Sequence, residues 1–404
     1  METILKGSFS MMKQLNLSII LQIIRKNKSI SRADIAGISG LTPASVTNIT
    51  RDLMKINFIK EAGFGESKGG RPPVMLELNP DAGYIIGINL GPGVIEGIVT
   101  NLNAKILIEK SVIIKNIKKE NVIDKLYNII EDIIKNSGIK KDEIIGIGMA
   151  VHGVVNSMTG ISEFAPYYHW KKVPIKNLVE EKFGYPVIID NDVRAMALGE
   201  SWFGIAKGIT NFVTINISNG IGSGIMIANK LYNGVDFSAG EIGHLVVDPD
   251  GPKCSCGNYG CLESVASNIS IVKKAIKLLK QGAETNLLDF LDGGLDSINV
   301  KVICEAANKG DKVCISILEE TGRYIGIAIS NIVNILNPKQ VVIVGDLMES
   351  RDIVLKSIKN TVGNLALELP ASNVKILPSG LGKNAATVGG ITLILSELFR
   401  GKGF

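Results

Sequence analysis

The sequence lacks the marks of a membrane or secreted protein. No uninterrupted apolar run reaches the roughly 18 to 20 residues that a membrane-spanning helix needs. Residues 1–30 do not show the charged, apolar and small-residue order of a signal peptide. The chain is 46% hydrophobic and 21% charged, which is typical of globular proteins and excludes a mainly disordered chain. We therefore expect a folded, cytoplasmic protein with no membrane partner.

Cysteine is scarce and unevenly placed. Only five cysteines occur in 404 residues, and Cys254, Cys256 and Cys261 share one short segment. In a reducing compartment such crowding indicates a metal site rather than disulfides. Cys304 and Cys314 each lie in a helical pattern, and we interpret them as core residues.

Beyond residue 80 the chain has no excess of positive charge. Residues 1–80 hold eleven Lys or Arg against six Asp or Glu, and this excess of five equals the net charge of the whole chain, +5. A basic module before a neutral body favours a polyanion as partner, although ordinary solvated surfaces show similar imbalances. The length of 404 residues predicts two or three domains. We place a first domain at residues 1–80 and a second at residues 81–404.

Three helices are predicted in the first domain. Apolar residues recur at helical spacing over residues 12–24. Ser31 and Gly40 are typical of the start and end of a second, two-turn helix. Thr42 followed by Pro43 predicts the start of a third helix.

The third helix has one apolar stripe and one polar face. The stripe comprises Val46, Ile49, Leu53 and Ile56. The outward residues, together with the cap, are Thr42, Ala44, Ser45, Thr47, Asn48 and Arg51. Short polar side chains near the amino end of a helix, with an arginine for phosphate, suit the major groove of DNA. An ordinary surface helix has the same spacing, so the helix alone leaves both interpretations open.

A basic hairpin follows the third helix. Residues 58–62 and 74–78 are predicted strands, and the segment between them contains Gly69-Gly70-Arg71-Pro72. Such a wing suits insertion of Arg71 into the narrow, electronegative minor groove. Residues 12–78 resemble the winged helix-turn-helix of repressors in the ROK family (repressor, open reading frame, kinase), whose wing commonly carries a Gly-Gly-Arg-Pro-like tip. The resemblance implies that Arg71 and the outward residues of the third helix bind double-stranded operator DNA.

The second domain is predicted to be α/β. From Tyr84 onward, short β-branched runs alternate with helical stretches. Residues 88–100 and 215–228 echo each other, because each reads as a strand, a glycine-rich turn and a strand. The echo favours two similar lobes that face a cleft, although any two hairpins share this pattern.

The ROK resemblance extends over residues 84–398 and implies a two-lobed, actin-like (ribonuclease H-like) fold. In the kinases of this family the two turns cradle ATP phosphates, and the first carries an Asp followed by Gly-Gly-Thr. Here the matching positions are Asn89-Leu90-Gly91-Pro92-Gly93. A neutral amide attracts a magnesium ion less than a carboxylate, and Pro92 removes an amide donor. We therefore predict no sugar kinase activity.

One histidine and three cysteines are spaced to bind zinc. His244 is followed after nine residues by Cys254, Cys256 and Cys261 on a glycine-rich loop. These four ligands close a tetrahedral shell with no open position, which is typical of structural zinc. Packing of the thiols as small hydrophobes is the alternative, but it does not explain why they share one polar loop with a histidine. The arrangement is also a hallmark of the ROK family.

Candidate sugar ligands surround that loop. Asp190-Asn191-Asp192 follows a predicted strand at 186–189 and opens a helix, on the usual binding edge of an α/β sheet. Carboxylates and amides accept paired sugar hydroxyls well. By resemblance, Asp192 matches the catalytic base of the kinases. The family's sugar-binding residues match Asn191, Asp192, Glu241, His244 and Glu263.

Plainer interpretations stay open for these residues. Asp192 could cap the helix that follows it, and Glu241 and Glu263 could be solvated. The aromatic residues nearby could stack on a sugar ring or belong to the core or a lid; they are Tyr167, Tyr168 and Trp170. We interpret His152 and His169, which lie in loops without a partner motif, as structural.

Two functions follow from the resemblance. The first is a transcriptional repressor of the xylose-repressor type, a homodimer or higher homo-oligomer controlled by a monosaccharide such as xylose or glucose. The second is an ATP-dependent sugar kinase with an appended DNA-binding module. Asn89 and Pro92 favour the repressor.

Overall fold

The computed structural model describes residues 9–66 and 71–400. They group into two compact units. The first unit comprises the chain up to Met149, Pro174–Ile189 and the chain from Gly390 onward, and the second comprises Ala150–Val173 and Asp190–Gly389. Within the described ranges, no helix is both long and apolar enough to cross a membrane.

The amino-terminal part of the first unit, here called the winged module, contains three helices and a small antiparallel sheet. Its elements are α1 (Phe9–Asn27), β1 (Ile30–Ser31), α2 (Arg32–Ser39), α3 (Pro43–Lys55), β2 (Ile59–Phe64) and β3 (Val74–Leu78). The strand order is β1-β3-β2. The three predicted helices and the two wing strands are confirmed.

Capping side chains set the helix boundaries in the winged module. Ser31 Oγ accepts the backbone amide of Asp34 at 3.1 Å at the start of α2. Gly40 closes α2 with a φ of 69°, a left-handed conformation that glycine adopts without strain. Thr42 Oγ1 accepts the backbone amide of Ser45 at 3.2 Å and so caps α3. These contacts are the ones that the residue types predicted.

The apolar stripe of α3 is one residue shorter than predicted. Val46, Ile49 and Leu53 are buried. The prediction for Ile56 is wrong, because this residue is 65% exposed. α3 ends at Lys55, so Ile56 lies beyond the last helical turn and no longer follows the helical stripe.

The first unit continues into a five-stranded sheet. In chain order the next elements are β4 (Tyr84–Gly91), β5 (Val94–Asn101), β6 (Ile106–Ile113), α4 (Lys119–Asn136), β7 (Ile144–Val151), β8 (Val154–Asn156), β9 (Ile161–Ala165), β10 (Trp170–Val173), α5 (Ile175–Phe183) and β11 (Val187–Asn191). The sheet order is β11-β7-β4-β5-β6, and the apolar face of α4 packs on β5 and β6. β8, β9 and β10 form a separate antiparallel sheet of the second unit.

The second unit holds a five-stranded sheet of its own. The remaining elements are α6 (Asp192–Trp202), β12 (Phe212–Ile217), β13 (Ile221–Ile227), β14 (Lys230–Leu231), α7 (Leu262–Ala266), α8 (Asn268–Lys280), α9 (Val300–Asn308), α10 (Lys312–Leu336), β15 (Gln340–Val344), α11 (Arg351–Leu365), α12 (Glu368–Asn373), β16 (Lys375–Pro378) and α13 (Ala385–Arg400), which ends in the first unit. The sheet order is β14-β13-β12-β15-β16. A continuous apolar core joins this sheet to α10 and α11, and it includes Cys304 and Cys314 as predicted.

The two five-stranded sheets share one plan. In each, three consecutive strands form an antiparallel meander, β4-β5-β6 and β12-β13-β14. Two later strands are added on the other side of the first strand, β7 and β11 in one sheet and β15 and β16 in the other. The internal echo in the sequence therefore marks two copies of one topology, and the α/β prediction is confirmed.

Candidate functional site

α6 begins where β11 ends, and Asn191 builds the junction. Asn191 Oδ1 accepts the backbone amides of Val193 and Arg194 at 3.0 and 3.1 Å. Asn191 Nδ2 donates to the carbonyl of Gly153 at 3.0 Å and to Asp192 Oδ1 at 2.9 Å. The helix cap is therefore Asn191, and the alternative that Asp192 caps α6 is wrong. Both the oxygen and the nitrogen of the Asn191 side chain bond to protein groups. The bond from Nδ2 to Asp192 fixes the direction of the Asp192 carboxyl group.

Position 153, beside this junction, accommodates only glycine. Its φ is +93°, and a Cβ atom would lie 2.3 Å from the carbonyl oxygen of Phe164 and 2.9 Å from Cα of Ala165. Both neighbours are backbone atoms and cannot rotate away. The loop after β7 is thus held with the Gly153 carbonyl toward Asn191.

Asp192 presents a buried carboxyl group, 8% exposed as a residue. Burial raises the pKa of Asp192 above its ordinary value, and His152 is the largest opposing influence, followed by the backbone amide of Val193. His152, which the sequence led us to interpret as structural, is therefore an electrostatic neighbour of Asp192. Its position directly after β7, at the end of a buried strand, was the available signal.

Asp192 and Glu263 both lie within electrostatic reach of Glu241, and we call these three residues the carboxylate cluster. Glu241 is exposed as a residue, yet burial of its carboxyl group is the largest cause of its raised pKa, and Asp192 and Glu263 add to it while His244 opposes it. Glu263 is half-buried, and its Oε2 accepts the backbone amide of Ile221 at 3.0 Å. The structure thus brings together all five predicted sugar-binding residues.

The aromatic residues near this site belong mostly to the core. Tyr168 and Trp170 are 3% and 4% exposed, with ring centroids 5.0 Å apart. Trp170 Nε1 is buried without a hydrogen-bond partner among the described residues. Tyr167 is 41% exposed and contacts Tyr168 edge to face. Only Tyr167 therefore offers a surface that a ligand could stack against.

The predicted metal ligands converge on one point. His244, Cys254, Cys256 and Cys261, here called the metal cluster, place their ligand atoms within 4.8 Å of one another. His244 Nδ1 lies 3.6 Å from Cys254 Sγ, and Cys256 Sγ lies 3.7 Å from Cys261 Sγ. Tetrahedral zinc with Zn–S bonds of about 2.3 Å separates its thiolates by about 3.8 Å, so this donor set fits the ion.

The protonation of the three thiols depends on whether a cation lies among them. Burial, together with the neighbouring thiols Cys254 and Cys256, raises the pKa of Cys261 to about 12. Three thiols this close cannot all ionise unless a positive charge lies between them, and a coordinated divalent ion deprotonates a thiol outright. The structure therefore assembles a cluster that could hold a metal ion.

The winged module presents the predicted polar face of α3. Thr42, Ala44, Thr47, Asn48 and Arg51 are exposed and Ser45 is half-buried. Arg51 Nη2 donates to Asn48 Oδ1 at 2.9 Å, so two candidate DNA contacts are already held together. Arg71 is exposed at the start of the chain leading into β3, and the wing-tip residues 67–70 lie outside the described residues.

The first glycine-rich turn contains a contact that the sequence did not reveal. Asn89 on β4 lies opposite Glu96 on β5, and Asn89 Nδ2 donates to Glu96 Oε2 at 2.8 Å. Asn89 Oδ1 is buried and has no hydrogen-bond partner in the described part of the chain. A carboxylate therefore lies beside the residue that the ROK resemblance matches to the kinase aspartate.

Comparison with known proteins assigns both parts of the chain. The ROK family pattern matches residues 85–397, and a winged helix-turn-helix DNA-binding pattern matches residues 18–60. The chain belongs to the ROK family. This membership confirms the resemblance and the fold class that the sequence predicted.

Relatives of this ROK protein match it from end to end. It is 35% identical over 393 residues to a xylose repressor of Caldicellulosiruptor bescii, covering 97% of this chain and 98% of the relative. It is 31% identical over 395 residues to the DNA-binding transcriptional dual regulator NagC of Escherichia coli, covering 98% and 96%. A solved ROK family transcriptional regulator, a homolog of the E. coli MLC protein, matches with a TM-score of 0.86 at 32% identity over 96% of this chain and 97% of the other.

Proposed function

We propose that this ROK protein is a sugar-responsive transcriptional repressor that binds operator DNA and is controlled by a monosaccharide such as xylose or glucose. The observation that carries the proposal is the combination, in one chain, of the exposed polar face of α3 with the carboxylate cluster of the second unit. Relatives named as repressors match over nearly the whole chain, the winged module included. Such a regulator acts where the chromosome is, in the bacterial cytoplasm.

The DNA-binding part consists of α3 and the wing. Thr42, Ala44, Ser45, Thr47 and Asn48 face the base edges of the major groove, Arg51 contacts phosphate, and Arg71 enters the minor groove. One module covers only one half-site, and half-sites lie about 34 Å apart per helical turn. The functional form is therefore a homodimer or a higher homo-oligomer.

The sugar-binding part consists of the carboxylate cluster, Asn191 and His244. Carboxylates accept pairs of sugar hydroxyls, and Asn191 orients Asp192. The two assignments of His244 are compatible, because its Nδ1 lies toward Cys254 and its other ring nitrogen is left for a ligand. The residues that we assign to sugar binding are Asn191, Asp192, Glu241, His244 and Glu263.

The metal cluster binds structural zinc in this proposal. Its four protein ligands fill a tetrahedral shell, so the ion supplies rigidity and no reactive position. Glu241 and Glu263 lie on either side of this loop in the sequence. Zinc would therefore hold the backbone that directs two members of the carboxylate cluster.

The alternative function is an ATP-dependent sugar kinase. The retained Asp192 favours it, since this residue matches the kinase base. Asn89 and Pro92 oppose it, because phosphoryl transfer depends on charge stabilisation and backbone donors at that turn. Asp192 is explained equally well by sugar binding without catalysis.

A paired titration tests the proposal. D-xylose, D-glucose and N-acetylglucosamine are titrated by calorimetry into the full-length protein, alone and with a duplex selected from a random DNA pool. We expect one sugar to bind and to weaken DNA binding, with a coupling of about 1–3 kcal/mol. Absence of selected DNA or of sugar binding contradicts the proposal. ATP consumption above roughly one turnover per second with any of the three sugars supports the kinase instead.

A further inference from the structure

Arg194 is a buried arginine that the function proposed above does not use. It is 2% exposed and lies in the first turn of α6. Its guanidinium donates from Nε to Asp190 Oδ1 at 2.7 Å, from Nη2 to the same oxygen, from Nη2 to the carbonyl of Val155 at 2.7 Å, and from Nη1 to the carbonyl of Phe237. The side chain therefore joins three chain segments inside the second unit.

Each of these segments carries a residue assigned to the sugar site or a neighbour of one. Asp190 precedes Asn191 and Asp192. Val155 on β8 follows the loop of His152 and Gly153, and the Gly153 carbonyl accepts from Asn191. Phe237 lies in the segment 232–241, which contains no helix or strand and ends at Glu241.

We propose that Arg194 is a positioning residue of the sugar site, whose guanidinium holds the segments bearing Asp192, His152 and Glu241 in one arrangement. The proposal rests on the function proposed above and adds a residue to its sugar-binding part. Arg194 itself acts through its neighbours and contacts none of the ligand.

The local backbone supports a positioning role. Phe237 has a φ of +63°, a left-handed conformation that a bulky residue adopts only when its surroundings impose it. The bond from Arg194 to the Phe237 carbonyl is such a constraint. Three residues later, the backbone and hydroxyl of Ser223 both donate to the carbonyl of Gly240 at 2.9 Å. The segment before Glu241 is thus fixed at two points, and Arg194 supplies one of them.

Stability alone does not account for a buried ion pair of this kind. Apolar side chains of similar volume stabilise a protein core as well as a buried pair does, or better. An apolar residue lacks the rigid fork of N–H donors that reaches three partners in different directions. The positive charge of Arg194 also acts on the site, because it lowers the pKa of both Asp192 and Glu241 against the effect of burial.

Two double-mutant cycles in the full-length protein test the proposal. The first combines Arg194→Met with Asp192→Asn, and the second combines Arg194→Met with Glu263→Gln. Affinity is measured by calorimetry for D-xylose, D-glucose and N-acetylglucosamine, and the cycles use whichever of the three binds the wild-type protein most tightly. Glu263 is the matched control, because the backbone amide of Ile221 holds it and Arg194 does not.

We expect Arg194→Met to weaken sugar binding by about tenfold or more. Asp192→Asn should then cost far less affinity in the Arg194→Met background than in the wild type, because a misplaced carboxylate already contributes little to sugar binding. Glu263→Gln should cost the same in both backgrounds. Additive effects in both cycles would mean that Arg194 only stabilises the fold, and would overturn the proposal.

Two further variants keep the test valid if Arg194→Met fails to fold. Arg194→Lys retains the charge but cannot reach three partners, so we expect weak sugar binding with a near-normal unfolding midpoint. Asp190→Asn combined with Arg194→Met leaves no unpaired buried charge, so we again expect weak sugar binding with a near-normal unfolding midpoint. Asp311→Asn is the control for stability, because Asp311 is a buried cap of α10 in the same unit whose partners belong to none of the site segments.

The outcomes separate the two proposals. A wild-type protein that binds none of the three sugars overturns the proposed function, and this inference with it. A wild-type protein that binds sugar while Arg194→Lys and the Asp190→Asn/Arg194→Met variant bind it equally well overturns this inference alone. A loss of sugar affinity in Asp311→Asn as large as in Arg194→Lys also overturns it, since that loss would reflect general destabilisation.

Discussion

The two units contain sheets of the same strand order, but their glycine-rich turns differ in what the neighbouring side chains do. In the first unit, Glu96 binds Asn89 across the β4–β5 hairpin. In the second unit, the backbone amide of Ile221 after the β12–β13 turn binds Glu263, a member of the carboxylate cluster. The repeated topology therefore supplies two similar scaffolds whose glycine-rich turns differ in their side-chain contacts.

The largest expected effect comes from the metal cluster of the second unit. Cys261→Ser should remove bound zinc and lower the free energy of unfolding by about 3 kcal/mol or more, because a structural zinc site contributes directly to folding. Elemental analysis and calorimetric unfolding of the full-length protein check this. Cys314→Ser is the matched control, a buried cysteine outside the cluster that should keep its zinc. A wild-type protein purified without chelators and found free of zinc would contradict the assignment.

The next effect concerns Asp192, a buried carboxyl group of the second unit. Asp192→Asn should weaken sugar binding by roughly 10- to 100-fold, since a hydrogen bond to a charged group contributes about 1.5–3 kcal/mol. Glu96→Gln, the matching change of a carboxylate in the first unit, should leave sugar affinity unchanged. Calorimetric titration of both variants gives the comparison, and equal losses would show that the first turn also binds the ligand.

The same substitution should stabilise the fold. The pKa of Asp192 is raised by burial from an unfolded value of 3.8, so the folded state disfavours the charged form. The stability that Asp192 contributes is therefore present below the unfolded pKa and lost as the pH rises through the folded pKa. Asp192→Asn should unfold at higher urea than the wild type at pH 7, and the difference should shrink toward pH 4. A wild type that is the more stable of the two at pH 7 would contradict this.

A smaller effect is expected at the first turn. Asn89→Asp restores the residue type of the kinases but places a second carboxylate against Glu96, so we expect a loss of about 1 kcal/mol in stability. ATP consumption should not appear. Adding Glu96→Gln should recover the unfolding midpoint, because the repelling partner is removed. Measurable turnover of Asn89→Asp would show that the two turns differ less than their contacts indicate.

The smallest expected effect lies in the winged module. Arg71→Ala should weaken binding of the selected DNA by about 1 kcal/mol, roughly fivefold, and leave sugar affinity unchanged. Arg351→Ala removes an exposed arginine of the second unit and should change neither DNA affinity nor sugar affinity. Electrophoretic mobility shifts at two salt concentrations measure the DNA part. Unchanged DNA affinity in Arg71→Ala would remove the wing from the interface.

Several features of this protein were predictable because they depend on residues close in sequence. Ser31 and Thr42 cap their helices by accepting the backbone amide three residues later, so each cap depends only on residues of its own turn. The metal cluster was predictable for a related reason, since three of its ligands share one loop and few other residue types bind zinc. Ile56 shows the limit of periodicity, because a helical stripe does not reveal where the helix stops.

The features of the site that the sequence left open or did not reveal have a different physical origin. His152 lies forty residues before Asp192 in the sequence, and no local pattern connects them. Trp170 and Tyr168 were candidates for stacking on a sugar, but aromatic residues look alike in sequence whether they line a site or fill a core. Asn191 and Asp192 are adjacent and both suited to capping, and only the backbone positions decide that Asn191 is the cap and accepts the amides of both Val193 and Arg194.

By itself, the sequence determined the basic winged module, the α/β body with its repeated hairpin, the zinc-type ligand set and the list of candidate sugar ligands. Each depends on residue type and short spacing, which are properties of the chain before it folds. The tertiary structure alone decided that Glu96 accepts a hydrogen bond from Asn89 and that Arg194 joins three segments of the proposed sugar site. Those contacts connect residues between 4 and 43 positions apart through buried charges and backbone carbonyls, and only the packing of the folded chain brings such groups within hydrogen-bonding distance.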